Sequence, residues 1–276
     1  MRAYAVYGGT PAYLGTLQSQ LSLEENIQDG ILSRGSFLYD EVRFVLQQEL
    51  REPRNYFAIL QAIAAGKTRL NEIKQATGIV GATAYLDTLQ QLHLVERVVP
   101  VTETQPQKSR RGIYRLKDHY LRFWFRYVHP NRSQLERGGA QIILENQVMP
   151  EIDPFTSLTF EEVCQQFFWQ SGLSGKNPFV PTNIGNWWNA NEEVDLVVLG
   201  ENDAILVECK WTSKPVGIDI LADLERKAEL IRPELENRQI CFALCSRSGF
   251  TSQLFEGTNQ LHASRVTLLN LPEIVG

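Results

Sequence analysis

The chain has two methionines and four cysteines in 276 residues. It also lacks any apolar run near the ~18 residues that a membrane-spanning helix requires. Its first residues, MRAYAVYGGTPAYL, are too polar and too rich in glycine for a secretory signal. A cytoplasmic protein without a membrane partner is expected. The cysteines (Cys164, Cys209, Cys241, Cys245) sit in apolar segments, and Cys241 and Cys245 have no second Cys/His pair at zinc-ligand spacing. They read as buried thiols of a reducing compartment. A complete phosphate-binding loop is missing too. Gly66-Lys67-Thr68 copies its tail, but Gln61 stands where the loop needs glycine, and Tyr56, Ile59, Leu60 and Ile63 repeat at helical spacing. That excludes ATP binding through this segment.

What is present is enough for roughly two domains: 43% of the residues are hydrophobic, and charge is unevenly spread. Residues 53–118 carry +5 and residues 151–276 carry −9. An anionic polymer is attracted to the middle of the chain and repelled by most of its last third. Residues 1–52 read as a mostly helical segment. In 53–118, three helical stretches (RNYFAILQAIA, RLNEIKQAT, GATAYLDTLQQLH) precede two strands, LVERVVPV and GIYRL. This is the order of a winged helix-turn-helix. Ala84, Leu86, Leu89 and Leu92 are expected to face inward, and Lys108, Arg110 and Arg111 to sit on the wing tip as DNA contacts. A wing used only for protein contacts is the alternative. Residues 119–150 read as a helical connector whose Phe123, Trp124 and Tyr127 pack between domains.

The last segment, 151–276, contains EVDLVVLGENDAILVECKW. Gly200–Asp203 is a turn between two alternating runs, so Leu199 and Ala204 flank it. Continuing that register puts Asp195 opposite Glu208 and Glu193 opposite Lys210, with Cβ atoms roughly 4.5–5.5 Å apart. One face, from Val194 to Trp211, is apolar and suited to pack on a helix. The other carries the four charged residues at its open end. Directly opposed carboxylates repel, by about 1 kcal/mol or more when dehydrated, so Lys210 or a divalent cation must compensate. A salt-bridged sheet edge is the plain alternative. In the helix SLTFEEVCQQFFW, Glu161 lies at the edge of the apolar stripe and is expected to face the polar end of the sheet. The remaining helix, strand, helix, strand order completes an α/β domain.

Asp195, twelve residues, then Glu208-Cys209-Lys210 resembles the D-xn-E-x-K signature of the PD-(D/E)xK, restriction-endonuclease-like nucleases, and Glu161 is similar to their helical acid. GGTPAYL, the winged helix, RFWFRYVHPN, IGNWWN, EVDLVV, ECKW and SRSGF, in this order, resemble the C-terminal region of archaeal and bacterial AAA-type ATPases that carry a DUF234 domain. The resemblance implies an α+β multidomain protein: an ATPase lid (1–52), a winged helix (53–118), a helical connector (119–150) and a nuclease-like domain (151–276). It implies Mg²⁺ or Mn²⁺ held by Asp195, Glu208, the Cys209 carbonyl and Glu161, with Lys210 orienting water or stabilising negative charge. Glu193 is then a partner of Lys210, and Lys227 a phosphate contact or a solvated charge. The expected activity is phosphodiester hydrolysis on DNA. Two alternatives stand beside it: a catalytically silent regulatory or interaction module, and a DNA-binding regulator whose C-terminal domain forms a homo-oligomer.

Overall fold

Apolar residues at helical spacing dominate the first half of the chain, and long strand-type alternation begins only near residue 183. The structure, a computed structural model, describes residues 1–50, 53–261 and 265–276. The chain forms two compact units: Met1–Val98 with Gly112–Phe155, and Val99–Arg111 with Thr156–Gly276. The expected boundary at 52/53 touches residues outside those described.

In the first unit, short helices (Arg2–Tyr7, Pro11–Leu14, Leu23–Ile27) lead to α1 (Phe37–Glu49), α2 (Pro53–Ala64), α3 (Leu70–Thr77) and α4 (Ala82–Gln91). Strands β1 (Val95–Val98) and β2 (Ile113–Leu116) then pair antiparallel, Val95 with Leu116. Gly66 and Gly78 follow α2 and α3 with φ of 87° and 70°, left-handed values that favour glycine. The Gly66-Lys67-Thr68 turn thus leaves a helix, not a strand. On α4 the buried residues are Ala82, Leu86 and Leu89. Ala84 is exposed, because the inward stripe starts at Ala82 and repeats at four and three residues. The aromatic segment also differs from expectation. Tyr120, Phe123, Trp124 and Tyr127 are buried in the core of this same unit. The Tyr120 hydroxyl donates to the Leu38 carbonyl and the Trp124 indole to that of Tyr39. Residues 119–150 therefore belong to the first unit's core and do not form a separate connector.

Helix α5 (Met149–Leu173) opens the last part of the chain, and the division between the units falls within it. After it come β3 (Asn183–Trp188), β4 (Glu193–Leu199), β5 (Asp203–Lys210), α6 (Ile218–Ile231), β6 (Gln239–Ser246), α7 (Ser252–Leu261) and β7 (Val266–Asn270). The sheet runs in the order β3-β4-β5-β6-β7, antiparallel up to β5 and parallel beyond. On one face Val197, Leu199, Ala204 and Leu206 pack with Leu221, Leu224, Ala228 and Ile231 of α6. On the other, Phe160 of α5 lies 5.4 Å from the Trp211 ring, centroid to centroid. Among the described residues no helix is long and apolar enough to cross a membrane.

The stretch 99–111, whose residues 102–111 were expected as the wing loop, belongs to the second unit. The Val101 N–H donates to the Asn186 carbonyl on edge strand β3 at 2.9 Å. The Arg111 guanidinium bonds Glu103 at 2.6 Å and Glu234 at 3.0 Å, and Trp188 donates to the Arg111 carbonyl. Covering β3 in this way protects unpaired strand groups. It also occupies Arg111, which is therefore not one of the open cations of the loop; Lys108 and Arg110 are exposed.

Candidate functional site

The hairpin register follows the turn. Leu199 pairs with Ala204 and the ladder continues to Leu196 with Val207, one step short of Asp195 and Glu208. There β4 and β5 exchange a different bond. The Asp195 carboxylate accepts the Cys209 backbone N–H at 2.7 Å, so a side chain takes over from the backbone ladder. The cause is a bulge in β4 itself. Against β3 the register shifts between Gly185 and Trp187: the two β4 residues Asp195 and Leu196 face the single β3 residue Asn186. Its side-chain amide donates to the Asp195 carbonyl. A bulge of this kind bends its own strand and re-aims a side chain, here that of the acid.

Glu208 is only 6% exposed, a burial that an isolated carboxylate does not tolerate. Two cations surround it. Lys210 bonds one carboxylate oxygen, and Lys227 on α6 approaches the other at 3.5 Å. Lys227 is itself 8% exposed and bonds Asp223 one turn earlier at 3.1 Å. It is thus neither a solvated charge nor an open phosphate contact. Burial disfavours the ammonium form of both lysines, but the surrounding carboxylates together outweigh it, Glu208 first for each and Asp223 next for Lys227, and hold both above their usual range. Lys210 pairs with Glu208 rather than Glu193, which is exposed opposite Trp188. Asp195 has no such neutralisation. Burial and the Glu208 charge together outweigh the Cys209 N–H and Lys210, and push its carboxyl up to about 7.

The expected residues are therefore brought together in part. Asp195, Glu208 and Lys210 converge on the α6 face of the sheet, as the alternation required. Glu161 belongs to α5, which covers the opposite face: Cys164, one turn on from Glu161, lies against Cys209 and Cys245. Among the described residues, the three candidate ligand atoms within 4.8 Å of one another are these three sulfurs, not the oxygens of Glu161, Asp195 and Glu208. Asn186, Asp223 and the role of Lys227 were missed. The i, i+4 spacing of Asp223 and Lys227 was the available signal for the last two. In the first unit, a cavity of about 520 Å³ is lined by Arg43, Arg54, Phe57, His129 and Arg132. His129 stacks on Trp124 at 5.2 Å, and buried Nδ1 of His129 and Nη1 of Arg132 have no hydrogen-bond partner. This cationic hollow also went unseen, because its arginines come from three separate stretches.

Fold and site define a mixed α+β protein with a buried carboxylate and lysine cluster at one end of a five-stranded mixed sheet. Residues 124–231 belong to the DUF234 family, described as archaeal and bacterial proteins of unknown function. An uncharacterized protein of Methanocaldococcus jannaschii is 36% identical over 234 residues, covering 83% of this chain and 52% of that protein. The chain spans about half the length of that relative. Among solved structures, Can2 from Sulfobacillus thermosulfidooxidans, in complex with cyclic tetra-adenylate, is similar at 13% identity and a TM-score of 0.30, over 86% of this chain and 54% of that one. Protein VC1899 from Vibrio cholerae gives 14% and 0.26, over 92% and 54%. Overlap this loose leaves function to be argued from the site.

The raised carboxyl of Asp195 has a measurable consequence. An acid with a folded pKa above its unfolded value, near 4, contributes most stability below pH 4 and loses it as pH rises through about 7. Asp195→Asn keeps an oxygen for the Cys209 N–H and removes the charge. In metal-free buffer it is expected to raise the thermal midpoint at pH 8 and to leave it unchanged near pH 4. A variant less stable than wild type at pH 8 contradicts the assigned repulsion.

Proposed function

We propose that this chain is a DNA-binding protein whose second unit is a restriction-endonuclease-like domain of the PD-(D/E)xK type, hydrolysing phosphodiester bonds with Mg²⁺ or Mn²⁺. The observation that carries this is the convergence of Asp195, Glu208 and Lys210 at one sheet end, with two acids close enough for one to raise the pKa of the other. The donor set suits such an ion. Carboxylate oxygens are hard ligands, and a divalent cation relieves the repulsion that the lysines leave at Asp195. Asp195, Glu208 and the Cys209 carbonyl would hold it. When bound, the ion makes a water nucleophilic near neutral pH and stabilises the anionic phosphorus centre.

The chain's own groups do the rest. The Cys209 N–H holds the Asp195 carboxylate in place, and Lys227 anchors Glu208 from α6. Lys210, only part-buried, orients the attacking water or stabilises charge on the phosphate oxygens. We read α2 to α4 with β1 and β2 as a winged helix, and residues 1–52 as the lid of an AAA-type ATPase, with ATP handled outside this chain. A silent regulatory module is the second reading. Its support is that both Glu208 oxygens already face lysines.

Cleavage separates the two. Wild type with Mn²⁺ is expected to nick supercoiled DNA, and Asp195→Asn to lose about 100-fold or more of that rate while remaining folded, since the ion loses a ligand and the water its activator. Equal rates, or no cleavage by either with any DNA or RNA, favour the silent module.

The DNA-binding half has its own test. Lys108 and Arg110 are the open cations of the 99–111 loop, and Arg43 and Arg54 those of the hollow in the first unit. Neutralising either pair is expected to lower the slope of log affinity against log salt by up to about 1.8, at ~0.9 per phosphate contact. Slopes unchanged in both double variants contradict DNA contact through these groups.

A further inference from the structure

The opposite face of the same sheet holds three thiols that phosphodiester hydrolysis does not use. Cys164 comes from α5, Cys209 from β5 and Cys245 from β6, and their sulfurs all lie within 4.8 Å of one another. All three are free and buried. Cys209 and Cys245 are register partners on parallel strands, so both point to the face that α5 covers, and Cys164 closes the triangle. The surroundings are apolar. Phe160 and Phe168 flank Cys164 by one turn on either side, and Trp211 packs against Phe160; all three rings are buried.

The donors select the ligand. Sulfur binds soft ions and leaves hard cations such as Mg²⁺ to oxygen sites. Charge narrows the choice further. Three thiolates leave a net negative charge around a monovalent or divalent ion, and an apolar cage disfavours any buried net charge. Around a trivalent centre they leave none. We propose that Cys164, Cys209 and Cys245 form a binding site for a trivalent thiophilic centre of the arsenite class. The exchange balances without redox chemistry. Arsenous acid and three thiols give three As–S bonds and three waters, each thiol proton leaving with a displaced hydroxide. The fit is close. A trivalent centre with a lone pair is pyramidal, so three sulfurs held by bonds of about 2.3 Å at angles of about 95–100° sit about 3.4 Å apart. Each must move inward by about 0.8 Å at most, within reach of a side-chain torsion of about 30°. Occupancy would tie α5 to β5 and β6 behind the strand that carries Glu208 and Lys210.

The test is titration of the fully reduced chain with arsenite, read by native mass spectrometry, near-ultraviolet As–S absorption and thermal midpoint. One arsenic per chain and a raised midpoint are expected. Each of Cys164→Ala, Cys209→Ala and Cys245→Ala should weaken uptake by at least about tenfold, the lower range for disturbing a ligand shell. Cys241→Ala, on β6 but outside the cluster, should not. If an alanine variant fails to fold, the near-isosteric serine at that position must lose arsenic while keeping its circular dichroism. No uptake by the reduced chain, uptake unchanged in Cys245→Ala, or uptake that depends on Cys241 overturns the proposal.

Discussion

A carboxylate buried at the end of a sheet sets the terms for everything around it. Glu208 is stable there because Lys210 lies beside it on β5 and Lys227 reaches it from α6. Removing one partner of such a buried pair costs about 3–5 kcal/mol, so the contact fixes where α6 packs on the sheet as firmly as Leu224 or Ala228 does. Two lysines answer one carboxylate, and Asp195, the second acid, is left to raise its own pKa. The end of the sheet is thus held closed while one group remains under repulsion. Burial first, and the Glu208 charge second, disfavour the Asp195 anion, and a bound cation of the kind proposed would relieve both.

Much of this was legible locally. The GEND turn and the alternation on either side were sufficient for the β4–β5 register, because a two-residue period and a short loop leave few alternatives. The helices of the first unit followed from their periodicity. What failed was long-range or singular. The Asp195–Leu196 bulge opposite Asn186 breaks an otherwise regular pairing and has no signature in the alternation of EVDLVV. Glu161 was expected at the margin of a helical stripe, but which face of the sheet that helix covers is decided by tertiary packing. Arg111 looked like its neighbours Lys108 and Arg110, and only the fold brings Glu103 and Glu234 to it. The cysteines were read as inert because metal spacing was sought along the chain. Their three sulfurs, one each from α5, β5 and β6, meet only in space.

The sheet therefore presents two chemistries back to back. Its α6 face gathers hard oxygens and ammonium groups, and its α5 face gathers sulfur in an apolar cage. Cys209 belongs to both: its N–H holds Asp195 on one side and its thiol joins Cys164 and Cys245 on the other. Small displacements of this residue are felt on both faces, since a packed interior transmits strain.

The central claim is that Asp195 and Glu208 form a divalent cation site which the lysines only substitute for. The most direct measurement is a crystal structure after soaking with Mn²⁺, with anomalous scattering locating the ion. The account predicts one Mn²⁺ bridging the two carboxylates at roughly 2.1–2.2 Å, close to the Mg²⁺ distance, with Lys210 drawn away from Glu208. Glu208 still paired with both Lys210 and Lys227, and no anomalous peak at Asp195 under saturating Mn²⁺, would contradict it.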